Sequence, residues 1–163
     1  LLGRADTGSA NRFYGRYAEN EERLETLPLR MERHCRNAEA VAQWLCGQPA
    51  VDAVNYPRLP GHPHKALADK YLPKGCSGVI AFTLKGGREA GARFIDSLKM
   101  VSLEVHVADI RTCVLHPASS THRQLTDQQL ADAGISPGMV RLSVGTEHLD
   151  DILEDLGQAL AQV

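Results

Sequence analysis

The sequence predicts a β-sheet covered by helices, and three observations carry that expectation. Apolar residues recur at steps of three and four in two long segments, Leu27–Leu45 and His148–Leu160, the period of an amphipathic helix. In Val79-Ile80-Ala81-Phe82-Thr83-Leu84 and around Val140–Val144 the larger apolar residues alternate instead, which is the period of a strand with one buried face. Short strand-like runs and helix-like runs then follow one another along the chain, the order of a helix-covered sheet. Alternation of this kind is compatible with a parallel or an antiparallel sheet.

The elements follow in order. Residues 4–23 contain no Leu, Ile, Val or Met and so cannot present an apolar stripe. Residues 1–23 are therefore expected to be a polar, weakly structured segment, and 24–163 the folded domain. From Leu24 the pattern changes. Leu27, Met31, Cys35, Ala38, Val41, Ala42 and Leu45 share one face of a long helix, which Gly47 ends. Val51–Asn55 reads as a first strand. Pro57, Pro60, Gly61 and Pro63 then break the chain before a short helix at Lys65–Tyr71, closed by Pro73-Lys74-Gly75. Val79–Leu84 is the clearest strand, followed from about Gly87 by a helix that buries Ala90, Phe94, Ile95 and Leu98. Further strands are expected near Arg111–Leu115 and Val140–Val144, with a helix near Asp127–Ala133 between them. The last helix carries Leu149, Ile152, Leu153, Leu156 and Leu160 on one face, with Glu147, Asp150 and Asp151 placing negative charge near its positive end.

Composition excludes several classes of function. The chain has 163 residues, 43% hydrophobic and 23% charged, enough for one sizeable core. Eighteen basic residues nearly balance twenty acidic ones, so the net charge of -2 offers no footprint for nucleic acid or an anionic membrane. The four cysteines, Cys35, Cys46, Cys76 and Cys113, are widely spaced, which favours reduced thiols and a cytoplasmic location over a disulfide scaffold. No apolar run approaches the ~20 residues of a membrane span, and the start lacks a signal peptide's order. The absence of an initiator methionine is expected of a fragment or processed chain.

Among possible sites, the histidines do not fall at metal-ligand spacings, and no metal is expected. His62 and His64 flank a proline in a loop without an acidic or cysteine partner. His116-Pro-Ala-Ser-Ser-Thr-His122 places two imidazoles and three hydroxyls after a strand, which suits either a site or a turn whose hydroxyls satisfy the backbone. Gly86-Gly87 sits between strand and helix, but without a phosphate-loop motif it reads as a glycine turn. No GxSxG elbow is present. Arg141 is the charge of first interest. It interrupts an apolar strand, on the face of Met139 and Ser143 and opposite Val140, Leu142 and Val144. A guanidinium on a rigid strand can meet a carboxylate with two parallel hydrogen bonds. An edge arginine reaching solvent has the same sequence signature. Asp109 and Arg111 share a strand face by spacing, as an ion pair would require.

Five segments, in order, resemble the C-terminal region of the PLP-dependent enzymes of cysteine and methionine metabolism, and above all the O-acetylhomoserine sulfhydrylases. They are Leu24-Glu-Thr-Leu-Pro-Leu-Arg-Met-Glu-Arg-His34, Asn55-Tyr-Pro-Arg-Leu-Pro-Gly-His-Pro-His64, Ser102-Leu-Glu-Val-His-Val-Ala-Asp109, Leu115-His-Pro-Ala-Ser-Ser-Thr-His122 and Arg141-Leu-Ser-Val-Gly-Thr-Glu147. The resemblance covers about Leu24 to Leu160. It implies an α+β fold, the small C-terminal domain of a fold-type-I PLP enzyme, with a mainly antiparallel sheet and helices packed on one side. It implies that Arg141 binds the substrate's α-carboxylate, that His106 lies where the family meets that carboxylate from the other side, and that Thr121 and His122 belong to the active-site wall.

The complete enzyme would replace the γ-acetoxy group of O-acetyl-L-homoserine with sulfide or methanethiol, giving homocysteine or methionine. PLP would act as electron sink on a Schiff-base lysine. That lysine and the rest of the cofactor site belong, in the family, to a large domain upstream. None of Lys65, Lys70, Lys74, Lys85 and Lys99 lies in a segment resembling it. The expectations are therefore PLP in the complete enzyme and none on this chain alone, an O-acetylhomoserine-type substrate, the missing large domain as partner, and assembly as a homo-oligomer. By itself the chain would be inactive. Residues 9–23 are polar where the family has an apolar segment at the domain junction, a difference that points to a detached or altered fragment. The alternative is a free-standing interaction or self-assembly domain that kept the fold without catalysis. A third reading, an independent enzyme using His106, His116 or His122 as base, lacks a nucleophile.

Overall fold

The structure is a computed structural model and describes residues 24–163. The polar segment 1–23 lies outside the described residues. In chain order the elements are α1 (Leu27–Leu45), β1 (Val51–Asn55), α2 (Lys65–Tyr71), β2 (Val79–Leu84), α3 (Gly87–Ser97), β3 (Ser102–Leu103), β4 (Cys113–Leu115), a 3-10 turn (Pro117–Ser119), α4 (Asp127–Asp132), β5 (Met139–Ser143) and α5 (Leu149–Leu160). The strands form one sheet in the order β1-β2-β5-β4-β3. Every neighbouring pair is antiparallel except β3 with β4. This is the α+β architecture expected from the resemblance, with the last strand in the sequence at the centre of the sheet.

Two-residue alternation sorts the sheet into two faces. Ile80, Phe82, Leu84, Val140, Leu142 and Val114 are buried in one core with residues of α1, α3 and α5. Phe82 meets Phe94 of α3 edge to face, with ring centroids 5.7 Å apart. On the opposite face Val79, Ala81, Thr83, Met139 and Arg141 are only half-buried. The three longer helices thus cover one side, and Arg141 stands on the open one.

Several local signals set the ends of these elements. Gly86 adopts φ 91°, a left-handed conformation that L-residues rarely take, and turns the chain from β2 into α3. A capping box between Thr126 and Gln129 starts α4. In α5 the first-turn carboxylates Asp150 and Asp151 sit at the positive end of the helix.

The departures are informative. Leu27 and Met31 were expected on the buried stripe of α1, yet they are 39% and 37% exposed. The buried face instead comprises His34, Asn37, Ala38, Val41, Ala42 and Leu45. Two polar residues enter it because the chain after β5 presents carbonyls there. His34 Nδ1 donates to the Val144 oxygen at 2.6 Å, and Asn37 Nδ2 donates to the oxygens of Gly145 and Glu147 at 3.1 and 3.0 Å. β4 begins two residues later than expected, at Cys113, and β3 has only two residues, too few for any periodicity. Asp109 and Arg111 do form an ion pair, 3.5 Å between Nε and Oδ1, but within a loop rather than along a strand.

Candidate functional site

Arg141 occupies the middle of the central strand, opposite Ala81 of β2 and Leu115 of β4. Small and apolar neighbours on both sides leave its side chain no carboxylate partner in the sheet. Its Nη2 donates to the carbonyl of Val105 at 2.7 Å, and its Nε is buried without a hydrogen-bond partner. A guanidinium carries five N–H donors. With one engaged by Val105 and one buried at Nε, three remain on the two terminal nitrogens. That is the fork a carboxylate accepts with two parallel bonds, held on a strand and partly withdrawn from water.

Val105 belongs to a loop, residues 104–112, that passes over the open face. Ala108 within it has φ 63°, and its N–H donates to the Ser143 hydroxyl at 3.1 Å. The far end of the loop is fastened by Thr146, whose N–H donates to the Ile110 carbonyl at 2.8 Å, and by Glu147, whose carboxylate accepts from the N–H and the hydroxyl of Thr112. Arg111 reaches both Glu104 (3.3 Å) and Asp109 (3.5 Å). Asp109 is held below the ordinary carboxylate range, first by the Arg111 backbone N–H and then by its guanidinium.

His106 is on this loop, exposed, with Nε2 3.6 Å from a Glu104 oxygen. The structure therefore brings His106 and Arg141 to one loop-and-strand unit, through Val105. Thr121 and His122 lie in the turn after Pro117–Ser119. The Thr121 hydroxyl is 2.9 Å from His122 Nδ1, and the His122 N–H donates to the Pro117 carbonyl at 2.8 Å. Their described hydrogen bonds stay within this turn and include none to Arg141 or His106. His116 in the same segment is buried. Its Nε2 donates to the Pro137 carbonyl at 2.8 Å, leaving Nδ1 to accept from Ser119 at 2.9 Å. Burial pushes this imidazole below its ordinary range. It serves as a packing and hydrogen-bonding post rather than a base. Sequence reasoning missed the Val105 carbonyl and the Ser143–Ala108 bond; only the placement of Ser143 two residues from Arg141 on the same face hinted at the latter.

Other candidates resolve plainly. His62 Nε2 is 3.0 Å from Asn55 Oδ1 and forms part of the proline loop. Among the described residues Glu104, Asp109 and Cys113 bring their ligand-type atoms within 4.8 Å of one another, but Arg111 already pairs with both carboxylates. No described helix is long and apolar enough to cross a membrane.

Comparisons with known proteins show the family. The family described as Cys/Met metabolism PLP-dependent enzyme matches residues 21–161. The chain belongs to that family. O-acetyl-L-homoserine sulfhydrylase 1 of Thermus thermophilus is 52% identical over 85% of this chain and 33% of its own length. An L-methionine gamma-lyase of Treponema denticola is 46% identical over 84% of this chain and 34% of its own. A solved O-acetylhomoserine (thiol)-lyase from Campylobacter jejuni, carrying N'-pyridoxyl-lysine-5'-monophosphate, superposes with a TM-score of 0.77 at 39% identity, over 85% of this chain and 33% of that one. The chain thus spans about a third of the length of the relatives it matches.

Family membership implies PLP, and the residues present can be tested for it. An anchoring lysine must be poised in a desolvated pocket near groups that hold the ring and phosphate. None of the five lysines is buried. Lys65 pairs with Asp69 at 2.5 Å, Lys85 donates to the Pro49 carbonyl at 2.7 Å, and Lys70 lies over the Tyr71 ring. The described residues do not fit an anchor for PLP.

Proposed function

We propose that this chain supplies the α-carboxylate site of a PLP-dependent, O-acetylhomoserine sulfhydrylase-like enzyme. Such an enzyme exchanges the γ-acetoxy group of O-acetyl-L-homoserine for sulfide or a thiol. The observation that carries this reading is the Arg141 fork on the open sheet face, with three N–H donors left on its terminal nitrogens. Sulfhydrylase is preferred to γ-lyase because the Thermus sulfhydrylase is 52% identical to this chain, against 46% for the Treponema γ-lyase.

In this reading the part of the enzyme beyond these residues holds PLP, which supplies the electron sink. Arg141 binds and orients the substrate by its carboxylate, and the Val105 carbonyl keeps the guanidinium from rotating. His106 approaches the same carboxylate from the loop, and Thr121 and His122 belong to the wall. Residues 24–163 act as one unit, working in the cytoplasm as part of a homo-oligomer. Leu103, Val105, Val107 and Ile110, each more than half exposed beside Arg141, supply the apolar surface against which the cofactor-bearing part packs.

The test is a chimaera in which residues 24–163 replace the matching third of the Thermus sulfhydrylase. Turnover of O-acetyl-L-homoserine with sulfide is expected. Arg141→Ala should lower kcat/KM by about a hundredfold or more, the loss of two charge-assisted hydrogen bonds. An active chimaera indifferent to Arg141→Ala would refute the assignment. If the chain alone self-associates and the chimaera is inactive, the interaction-domain reading takes its place.

A further inference from the structure

Ser143 is 2% exposed and stands on the face of the sheet that carries Arg141, two residues along the same strand. Residues i and i+2 of a strand are about 7 Å apart and point the same way. The two side chains engage one loop at two points. Arg141 Nη2 donates to the Val105 carbonyl at 2.7 Å, and the Ser143 hydroxyl accepts the Ala108 N–H at 3.1 Å. The loop is therefore stapled across the strand at positions three residues apart.

The second staple is the one under load. Ala108 holds φ 63°, where the Cβ of an L-residue crowds the backbone. A loop relieved of the Ser143 bond would relax toward negative φ there, and Val105, three residues away, would move with it. The anchors at Ile110 and Thr112 hold the far end of the loop, and the Glu104 N–H, which donates to the Val114 carbonyl at 3.2 Å, holds the near end, so the motion is confined to the stretch between them. Between Val105 and Asp109 the described hydrogen bonds to the central strand are those of Arg141 and Ser143.

We propose that Ser143 is a positioning residue for the Arg141 guanidinium: by holding Ala108 it fixes the loop whose Val105 carbonyl sets the plane of the fork. The proposal deepens the carboxylate reading of Arg141 and rests on it for its functional meaning. The buried, partnerless Nε of Arg141 makes a direct reporter, because a guanidinium that turns when the loop shifts brings this proton to solvent.

The experiment uses the complete 163-residue chain, labelled with 15N, with L-2-aminobutyrate as a carboxylate probe. Solvent exchange is followed at the Arg141 Nε–H, assigned by Arg141→Lys, and at the amides of Ala108 and Leu142. In Ser143→Ala, exchange at Ala108 and at Arg141 Nε–H should quicken by about fivefold or more, as expected for one lost hydrogen bond, while Leu142 keeps its protection. Affinity for the probe should fall by a similar factor. Should Ser143→Ala fail to fold, Ser143→Cys, similar in shape but a poor acceptor, gives the same readings. Unchanged Arg141 Nε–H exchange beside an accelerated Ala108 amide would overturn the proposal, since the loop would then move without the fork. If the wild-type chain does not bind the probe, the carboxylate reading fails separately, and the exchange comparison still decides whether Ser143 positions Arg141.

Discussion

Asp155 offers the sharpest quantitative prediction. It lies on the inner face of α5, 5% exposed, and accepts four hydrogen bonds. Its Oδ1 takes the Lys99 N–H at 2.9 Å and the Gln158 amide at 3.0 Å; its Oδ2 takes the N–H groups of Met100 and Val101, both at 2.9 Å. The carboxylate thereby gathers the chain between α3 and β3, which leads into the loop beside Arg141. Asp155→Asn keeps the shape but turns one oxygen into a donor. Whichever way the amide is oriented, two donors then face its NH2. Two lost charge-assisted bonds at about 1.5 kcal/mol each predict a destabilisation of about 3 kcal/mol near neutral pH. For a domain of this size that corresponds to about 6–12 °C in Tm.

The pH dependence of that loss provides a second check. Burial raises the Asp155 pKa, but the N–H groups of Val101, Lys99 and Met100 and the Gln158 amide outweigh it and hold the carboxyl below its ordinary range. The folded-state value is thus lower than the unfolded one. The stabilisation is complete above the unfolded value of about 4 and is lost as pH falls from there through the folded value. Urea titrations followed by circular dichroism at several pH values would measure it. The wild-type and Asp155→Asn stabilities should converge as pH drops below about 4. A neutral-pH difference under about 1 kcal/mol, or one that does not shrink in acid, would refute the reasoning.

Three further predictions concern backbone and buried groups. A Cβ at Gly91 would overlap the His116 imidazole at Nε2, so Gly91→Ala should cost about 2–3 kcal/mol in urea unfolding or displace the imidazole from Pro137. Ala108→Gly removes the left-handed penalty at φ 63° and, after the entropy glycine adds to the unfolded chain, should leave the protein stabilised by up to about 1 kcal/mol in the same assay. His116 is pushed below its ordinary pKa first by burial, against the opposing Pro137 hydrogen bond, so its contribution is full above about pH 6.5 and lost as pH falls through the lowered value. His116→Asn should flatten the stability profile just below pH 6.5, and an unaltered slope would contradict this.

Much of the fold was legible because burial on one side imposes a period. The alternation of Ile80, Phe82 and Leu84 located β2 and its inner face, and Val140 and Leu142 did the same for β5. The steps of three and four in 149–160 located α5. The five ordered motifs identified the family, and with it the antiparallel sheet that periodicity alone left open. Arg141 could be assigned to the solvent-side face of its strand from two neighbours on either side.

What remained hidden depends on partners distant in sequence. The stripe of α1 shifted from Leu27 and Met31 to His34 and Asn37 because those polar side chains meet carbonyls at positions 144–147, more than a hundred residues away. β3 is two residues long and exists only because β4 lies beside it. The site behaves the same way: spacing placed Ser143 beside Arg141, but that a loop crosses over both, with Ala108 strained against one and Val105 clamped by the other, is decided by how the chain closes on itself. Local sequence determines period, propensity and caps, since these act over a few residues. The orientation of a guanidinium is set by hydrogen bonds between segments that only the folded chain brings together.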